Sequence, residues 1–246
     1  MTTAPDFASQ LPPEPTPATH ALCPDHPDRP AETTCNRCGR FVCAECQGGP
    51  GGACPSCLQQ QLAALPSLSG RGRIASTLLY VTAGTELMLS LASLLTAGEE
   101  ENLAVAIAVG LLGIGLLAVY ITTVVFFLRW LHLSVRTANA LGHDIGVTPG
   151  WAVGWWFIPF ANLVKPYHTV RGVLSALGGE RAVHSAKVGL WWTCWLGGNI
   201  LSNVSTRMDG MSDLAPAIGL VASVVSTFAA VLAVGVIRTV NATVQR

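Results

Sequence analysis

Residues 74–97 read IASTLLYVTAGTELMLSLASLLTA, an apolar run interrupted by a single charge, Glu86. A helix needs about 20 residues, at about 1.5 Å each, to cross the ~30 Å hydrocarbon core of a bilayer. This run is long enough. Working outward, Leu103 to Leu128, Val188 to Val204 and Leu214 to Ile237 are similar runs. A helix satisfies its own backbone hydrogen bonds in lipid, which an open strand cannot. The expected fold is therefore an all-α membrane protein with transmembrane helices over 74–97, 103–128, 188–204 and 214–237. Composition agrees: 50% of residues are hydrophobic and 11% charged, less than half the ~25% charged share of soluble domains. A net charge of zero gives no electrostatic reason to expect a nucleic-acid partner.

Basic residues set the expected orientation. Arg71 and Arg73 precede the first run, and Arg238 and Arg246 follow the last. Between the second and third runs lie Arg129, Arg136, Lys165, Arg171, Arg181 and Lys187. The other side receives Glu99, Glu100 and Glu101, then Arg207, Asp209 and Asp213. Both termini and the long middle segment are thus expected in the cytoplasm, and the bias of 12 Arg against 2 Lys suggests a bacterial genome and hence the inner membrane. The small residues Ala215, Gly219 and Ser223, and likewise Ala106, Gly110, Gly113 and Gly115, would let helix backbones approach closely.

A different chemistry precedes the first span. Residues 23–57 read CPDHPDRPAETTCNRCGRFVCAECQGGPGGACPSC. They hold the pairs Cys23/His26, Cys35/Cys38, Cys43/Cys46 and Cys54/Cys57, each with two intervening residues. That spacing lets both members of a pair reach one tetrahedral zinc ion. Eight ligands make two closed sites, and a closed site is structural because no position remains for water or substrate. A segment this short and rich in Pro and Gly needs metal to fold. Disulfides are the alternative, but the expected cytoplasmic side disfavours them. His20 competes with His26 as a ligand, although the Cys-x-x-His step favours His26.

The order Cys-x2-His, Cys-x2-Cys and RFVCAEC resembles the B-box zinc finger of tripartite-motif proteins, with Phe41 and Val42 just before the third pair. The resemblance implies a cross-braced finger. Cys23, His26, Cys43 and Cys46 would bind one zinc, and Cys35, Cys38, Cys54 and Cys57 the other. The chain departs from the family at Cys54 and Cys57, where a B-box usually has two His. B-boxes are interaction modules, so a protein partner is implied.

The expected organisation is a disordered tail over 1–19, the finger over 20–60, a linker over 61–73 and the membrane domain over 74–246. Within the membrane domain, LHLSVRTANALG should extend the second helix out of the bilayer. YHTVRGVLSALGG spaces Val170, Val173, Leu174 and Leu177 along one helical face, suited to the inner membrane surface or to packing on the protein itself. Between them, residues 150–164 are too short to span and are interrupted by Pro159. Trp151, Trp155 and Trp156 favour the membrane–water interface, so this segment is expected to be re-entrant or interfacial, with Asn162 satisfying backbone groups freed near Pro159.

PGWAVGWWFIPFANLVKPYHTVRGV is also similar to the signature of a bacterial membrane family, domain-of-unknown-function family 4328. The matching positions are Gly150, Trp151, Trp156, Phe157, Ile158, Pro159, Asn162, Leu163, Pro166 and Tyr167. His168 stands where many members would carry Gln. The resemblance covers roughly residues 74–240 and implies no activity.

Glu86 is a charge inside a predicted span, and such residues are costly and often functional. It could bond to Thr193, Asn199 or Asn203, of which the two Asn share one face of the third span. Together Glu86, Asn199 and Asn203 form a possible intramembrane polar site. His143–Asp144 is a weak acid–base candidate, and Cys194 reads as a small buried apolar residue. Nucleophile-elbow, phosphate-loop and His-Glu-x-x-His patterns are absent, so no enzyme is expected. The expected role is an adaptor or sensor whose finger binds a protein partner; the alternative is a small-molecule or ion transporter with a regulatory finger.

Overall fold

The computed structural model of the chain describes residues 21–47, 52–95 and 103–244. The tail over 1–19, His20 and the acidic Glu99, Glu100 and Glu101 lie outside these residues. The chain divides into two compact units, Met1–Gln60 and Gln61–Arg246.

In the first unit, strands β1 (Leu22–Cys23) and β2 (His26–Pro30) pair antiparallel, as do β3 (Thr33–Thr34) and β4 (Phe41–Val42). Strands this short have no stability of their own. Their role is to turn the knuckles inward, and the resulting core is almost entirely sulfur: Cys23, Cys35, Cys43, Cys46, Cys54 and Cys57 are buried, with Val42 and Ala53. Helices α1 (Ala44–Gln47) and α2 (Pro55–Ala63) follow the third and fourth knuckles.

The second unit is helical: α3 (Leu68–Leu95), α4 (Leu103–Ala140), α5 (Pro149–Gly154), α6 (Lys165–Ser185), α7 (Val188–Met208) and α8 (Ala215–Val244). Helix α3 begins at Leu68, so the second half of the predicted 61–73 linker is already helix. Among the described residues, three helices are long and apolar enough to cross a membrane: α3, α4 from Gly110 onward, and α8. Of the four expected spans, these three meet that measure among the described residues. Helix α7 has the length but carries Asn199, Ser202, Asn203, Ser205 and Thr206 over its second half, and these make it less apolar.

Helix α8 packs along both α3 and α7, and α3 along α4. The contacts use small residues, since hydrocarbon-like side chains gain nothing from leaving lipid and close van der Waals approach must supply the attraction. Ala222, Ser223, Ala229, Ala230 and Ala233 of α8 are buried. A Cβ at Gly198 of α7 would stand 2.5 Å from Ser226 Oγ, and one at Gly219 of α8 3.0 Å from Ser205 Oγ. By contrast Gly110, Gly113 and Gly115 of α4 face open space, beside exposed Leu111, Leu112 and Ile114. The side chain of Ala106 is outside the described residues.

As expected, α4 continues beyond its apolar run, and this extension is its most buried part: Trp130, Leu131, Leu133, Val135 and Ala138. Of the two placements open to the face Val170, Val173, Leu174 and Leu177, packing on the protein is observed. Helix α6 contacts α4, α7 and α8, with Val170, Val173 and Leu174 buried and Leu177 partly so. Gly179 bends α6 at φ +67°, a backbone region that costs glycine nothing.

Candidate functional site

In the finger, the structure gathers Cys23, His26, Cys43 and Cys46 into one cluster and Cys35, Cys38, Cys54 and Cys57 into another, with ligand atoms within 4.8 Å of one another in each. First and third knuckles share one site, second and fourth the other. A tetrahedral zinc with ~2.3 Å bonds to sulfur requires sulfurs about 3.8 Å apart. Cys23 and Cys46 Sγ lie 3.7 Å apart, and Cys38 and Cys54 Sγ 3.8 Å apart. His26 turns Nδ1 to the sulfurs of Cys43 and Cys46, at 3.5 and 3.2 Å. The donor sets fit two structural zinc ions.

The electrostatics point the same way. Backbone hydrogen bonding, chiefly from Cys43, lowers the Cys23 thiol to about 6. Bonds from the backbone of Cys38, Cys54 and Arg37 lower Cys35 to about 6, and Cys54 N–H reaches Cys35 Sγ at 3.2 Å. Burial and neighbouring Cys23 push Cys46 up to about 12. The hydrogen bond with Cys38, then burial, push Cys57 up to about 12. The first cluster thus has one thiol poised to ionise and the second two, since a hydrogen bond with Ser56 also lowers Cys54, while each has another held protonated by its neighbours; a divalent cation supplies the charge that lets all of them ionise. An ion pair from Arg29 to Glu45 ties β2 to α1 on the surface.

In the second unit, residues 149–164 form α5 and two short 3-10 turns, Trp155–Phe157 and Ala161–Leu163. Thr148 caps α5, accepting from Trp151 N–H at 3.3 Å. The break falls at Ile158–Phe160, around Pro159. Asn162 does not satisfy the backbone there with its side chain. Its own N–H donates to Ile158 O at 2.9 Å and Ala161 N–H to Pro159 O at 2.8 Å, while the Asn162 carboxamide oxygen is buried without a partner. The 3-10 turns close their own hydrogen bonds, so the side chain has none to make.

Residues 93–242 match the family described as Domain of unknown function (DUF4328). The chain belongs to this family. Residues 18–50 match the B-box zinc finger, and the match ends before Cys54 and Cys57, the pair that departs from that family and completes its second site here. No curated protein and no solved structure matches the chain.

The DUF4328 signature residues divide between two jobs. Trp156 packs edge-on against Phe127, Trp192 and Trp195, Pro166 is buried, and the Leu163 carbonyl accepts from Trp192 Nε1 at 3.1 Å. These anchor the segment to α4 and α7. Trp151, Phe157, Ile158 and Leu163 instead expose their side chains. Phe160, which sequence reasoning passed over, is 85% exposed at φ +63°. Trp151 stacks on Trp155, and Lys165 Nζ sits 5.5 Å from the Trp155 ring centre. Gly150 and Tyr167 lie in α5 and α6.

The predicted intramembrane trio is not brought together. Asn199 donates to Trp195 O at 2.7 Å and Asn203 to Asn199 O at 2.8 Å, and both are exposed. Thr193 likewise bonds back to Gly189 O. Each serves its own helix four residues back. Glu86 instead opens on a groove of about 440 Å3 between α3, α7 and α8. The groove is lined by Ser90 and Ser93 of α3, by Ser202, Ser205 and Thr206 of α7 with Asp209 just past its end, and by Gly219, Ser223 and Ser226 of α8. The spacing of those α7 residues, one face of a helix, is the signal that could have found them. Asp144 of the weak His143 pair accepts from Gly146 N–H at 2.8 Å in a turn. Cys194 is half-buried rather than buried.

Proposed function

We propose that the protein is an adaptor of the bacterial inner membrane, whose cytoplasmic zinc finger docks a protein partner. The observation that carries this reading is the finger itself. It is a compact unit of its own, its two metal clusters are closed, and its contacting strands β1 and β4 expose Leu22 (57%) and Phe41 (55%). A closed zinc site does no chemistry on a substrate, and exposed apolar side chains held on a metal-pinned scaffold are suited to binding. The reading is non-enzymatic and involves no nucleic acid.

In this reading α7 crosses the membrane as a fourth span beside α3, α4 and α8. Its 21 residues reach about 31 Å, it packs along α8, and an even number of crossings puts Arg71, Arg129 and Arg238 on the cytoplasmic face. Residues 149–164 then lie at that face, with exposed Trp151, Phe157 and Phe160 seated in the headgroup region. A short tether, from the end of α2 at Ala63 to the start of α3 at Leu68, joins the finger to the membrane domain. Partners already in the membrane meet it at raised effective concentration.

A crosslinking pull-down from native membranes, comparing wild type with Cys38→Ser/Cys57→Ser, tests the reading. A partner held by wild type and lost by the variant supports it; identical recoveries overturn it. The rival reading, a transporter with a regulatory finger, is favoured by the groove at Glu86. It requires Glu86→Gln to abolish function with both zinc sites intact.

A further inference from the structure

We propose that the groove between α3, α7 and α8 is a water-filled binding site for a small monovalent ammonium cation, with Glu86 as its counter-charge. A carboxylate within an apolar helix is costly unless it meets a partner or water. The Glu86 side chain has no hydrogen bond or ion pair among the described residues, and what it faces is the groove.

The lining is selective by sign. Glu86 and Asp209 are its charged groups, no Lys or Arg lines it among the described residues, and the remaining polar groups are hydroxyls. Hydroxyl and carboxylate oxygens accept hydrogen bonds from N–H donors. A divalent metal would call for several carboxylates and close oxygen ligands, whereas one deep carboxylate balances one positive charge. The volume, about 440 Å3, falls within the ~300–1,000 Å3 of small-molecule sites and exceeds what a bare ion needs.

The groove has a mouth and a floor. Asp209 lies at the end of α7 and Ala215 at the start of α8, and both line it. Glu86 lies about 14 Å along α3 from Leu95, and Ser226 about 16 Å into α8, at ~1.5 Å per residue. Both depths are near the middle of a ~30 Å hydrocarbon layer. Beyond them the helices close. Gly198 packs on Ser226, Thr227 Oγ1 reaches Ala83 O at 3.5 Å, and Ala83 is buried. A groove closed at this inner end and entered from the Asp209 end binds its ligand rather than conducting it. This inference does not depend on what the finger docks.

The test uses full-length, zinc-loaded protein in lipid nanodiscs carrying Ser90→Cys, one turn outward from Glu86. Modification of residue 90 by a trimethylammonium thiosulfonate and by its sulfonate counterpart is followed by mass spectrometry. Met211→Cys, on the exposed connection between α7 and α8, supplies the intrinsic rate ratio of the two reagents. At residue 90 the cationic reagent is expected to be favoured by roughly ten-fold over that ratio, the scale of one nearby unit charge in a wet protein environment. Glu86→Gln is expected to abolish the preference. Millimolar ethylammonium is expected to slow labelling only when Glu86 is present. Ser202→Cys on α7 repeats the measurement should Ser90→Cys not fold. An unreactive residue 90 in folded protein overturns the proposal, as does a charge preference that survives Glu86→Gln, or labelling indifferent to ethylammonium.

Discussion

Trp130 of α4 donates its indole N–H to the carboxamide oxygen of Asn241 on α8, at 3.2 Å. Gly72 of α3 lies against the same carboxamide: a Cβ there would stand 2.3 Å from Asn241 Nδ2 and 2.9 Å from Ile237 Cγ2. Trp130 is fully buried, and Ile237 nearly so. Three helices therefore meet at one polar contact, which only glycine at position 72 leaves undisturbed. Gly72→Ala is expected to destabilise by ~1–3 kcal/mol through overpacking. Asn241→Ala should cost a similar ~1–3 kcal/mol by orphaning the indole N–H. The double variant should cost less than the sum, because removing the carboxamide makes room for the methyl. Thermal unfolding in detergent measures all three, and strict additivity would show the contact to be incidental.

Zinc content follows from the cross-brace. Full-length protein purified under reducing conditions should contain two zinc ions per chain, one for each cluster. Cys23→Ser should remove the ion shared with Cys43 and Cys46 and leave the Cys35 site loaded; Cys54→Ser should do the reverse. Elemental analysis of Cys23→Ser/Cys43→Ser distinguishes this from sequential pairing: one ion should remain with the cross-brace, and none if consecutive pairs shared an ion.

Thr82 of α3 and Thr123 of α4 share a hydrogen bond of 2.7 Å between hydroxyls. Thr123 also reaches Val119 O of its own helix at 2.9 Å. Thr123→Val keeps the shape and loses only the bond, so the expected cost is about 0.6 kcal/mol, the usual worth of such contacts between membrane helices. A loss several times larger in the same unfolding assay would mean that the pair does more than join two helices.

Phe160 holds φ +63° with its ring 85% exposed. A non-glycine residue there stores about 1–3 kcal/mol of backbone strain. Phe160→Gly should therefore raise stability in detergent, where the ring has no bilayer to enter. The same variant should lose protection against aqueous quenching of Trp151 and Trp155 fluorescence in liposomes. A drop in detergent stability would place the ring's value in packing instead.

The finger was legible in the sequence because its ligands come in short, local pairs. Spacing alone did not say which pairs share an ion; the B-box likeness supplied that. Helices α4 and α8 announced themselves by uninterrupted apolarity, and α3 by an apolar run broken only at Glu86. Helix α7 was harder, since Ser202, Ser205 and Thr206 dilute its apolar character for a reason only the folded groove reveals. Asn199 and Asn203 were singled out as possible partners of Glu86, four residues apart on one helix face. Which face of α7 turns inward depends on Gly198 and Ser226 meeting, a non-local fact. For α6 the apolar face was readable but its destination was not, because lipid and protein reward the same side chains.

The bond from Trp192 to the Leu163 carbonyl makes α7 and the surface segment before α6 a single mechanical piece. Trp192 stands near the start of α7 and Ser205 about 20 Å further along it. A helix is stiff over that length, so a tilt or rotation of α7 at Ser205 would drag Leu163 at its other end. Helix α7 thus acts as a lever, with its fulcrum where Gly198 rests on α8.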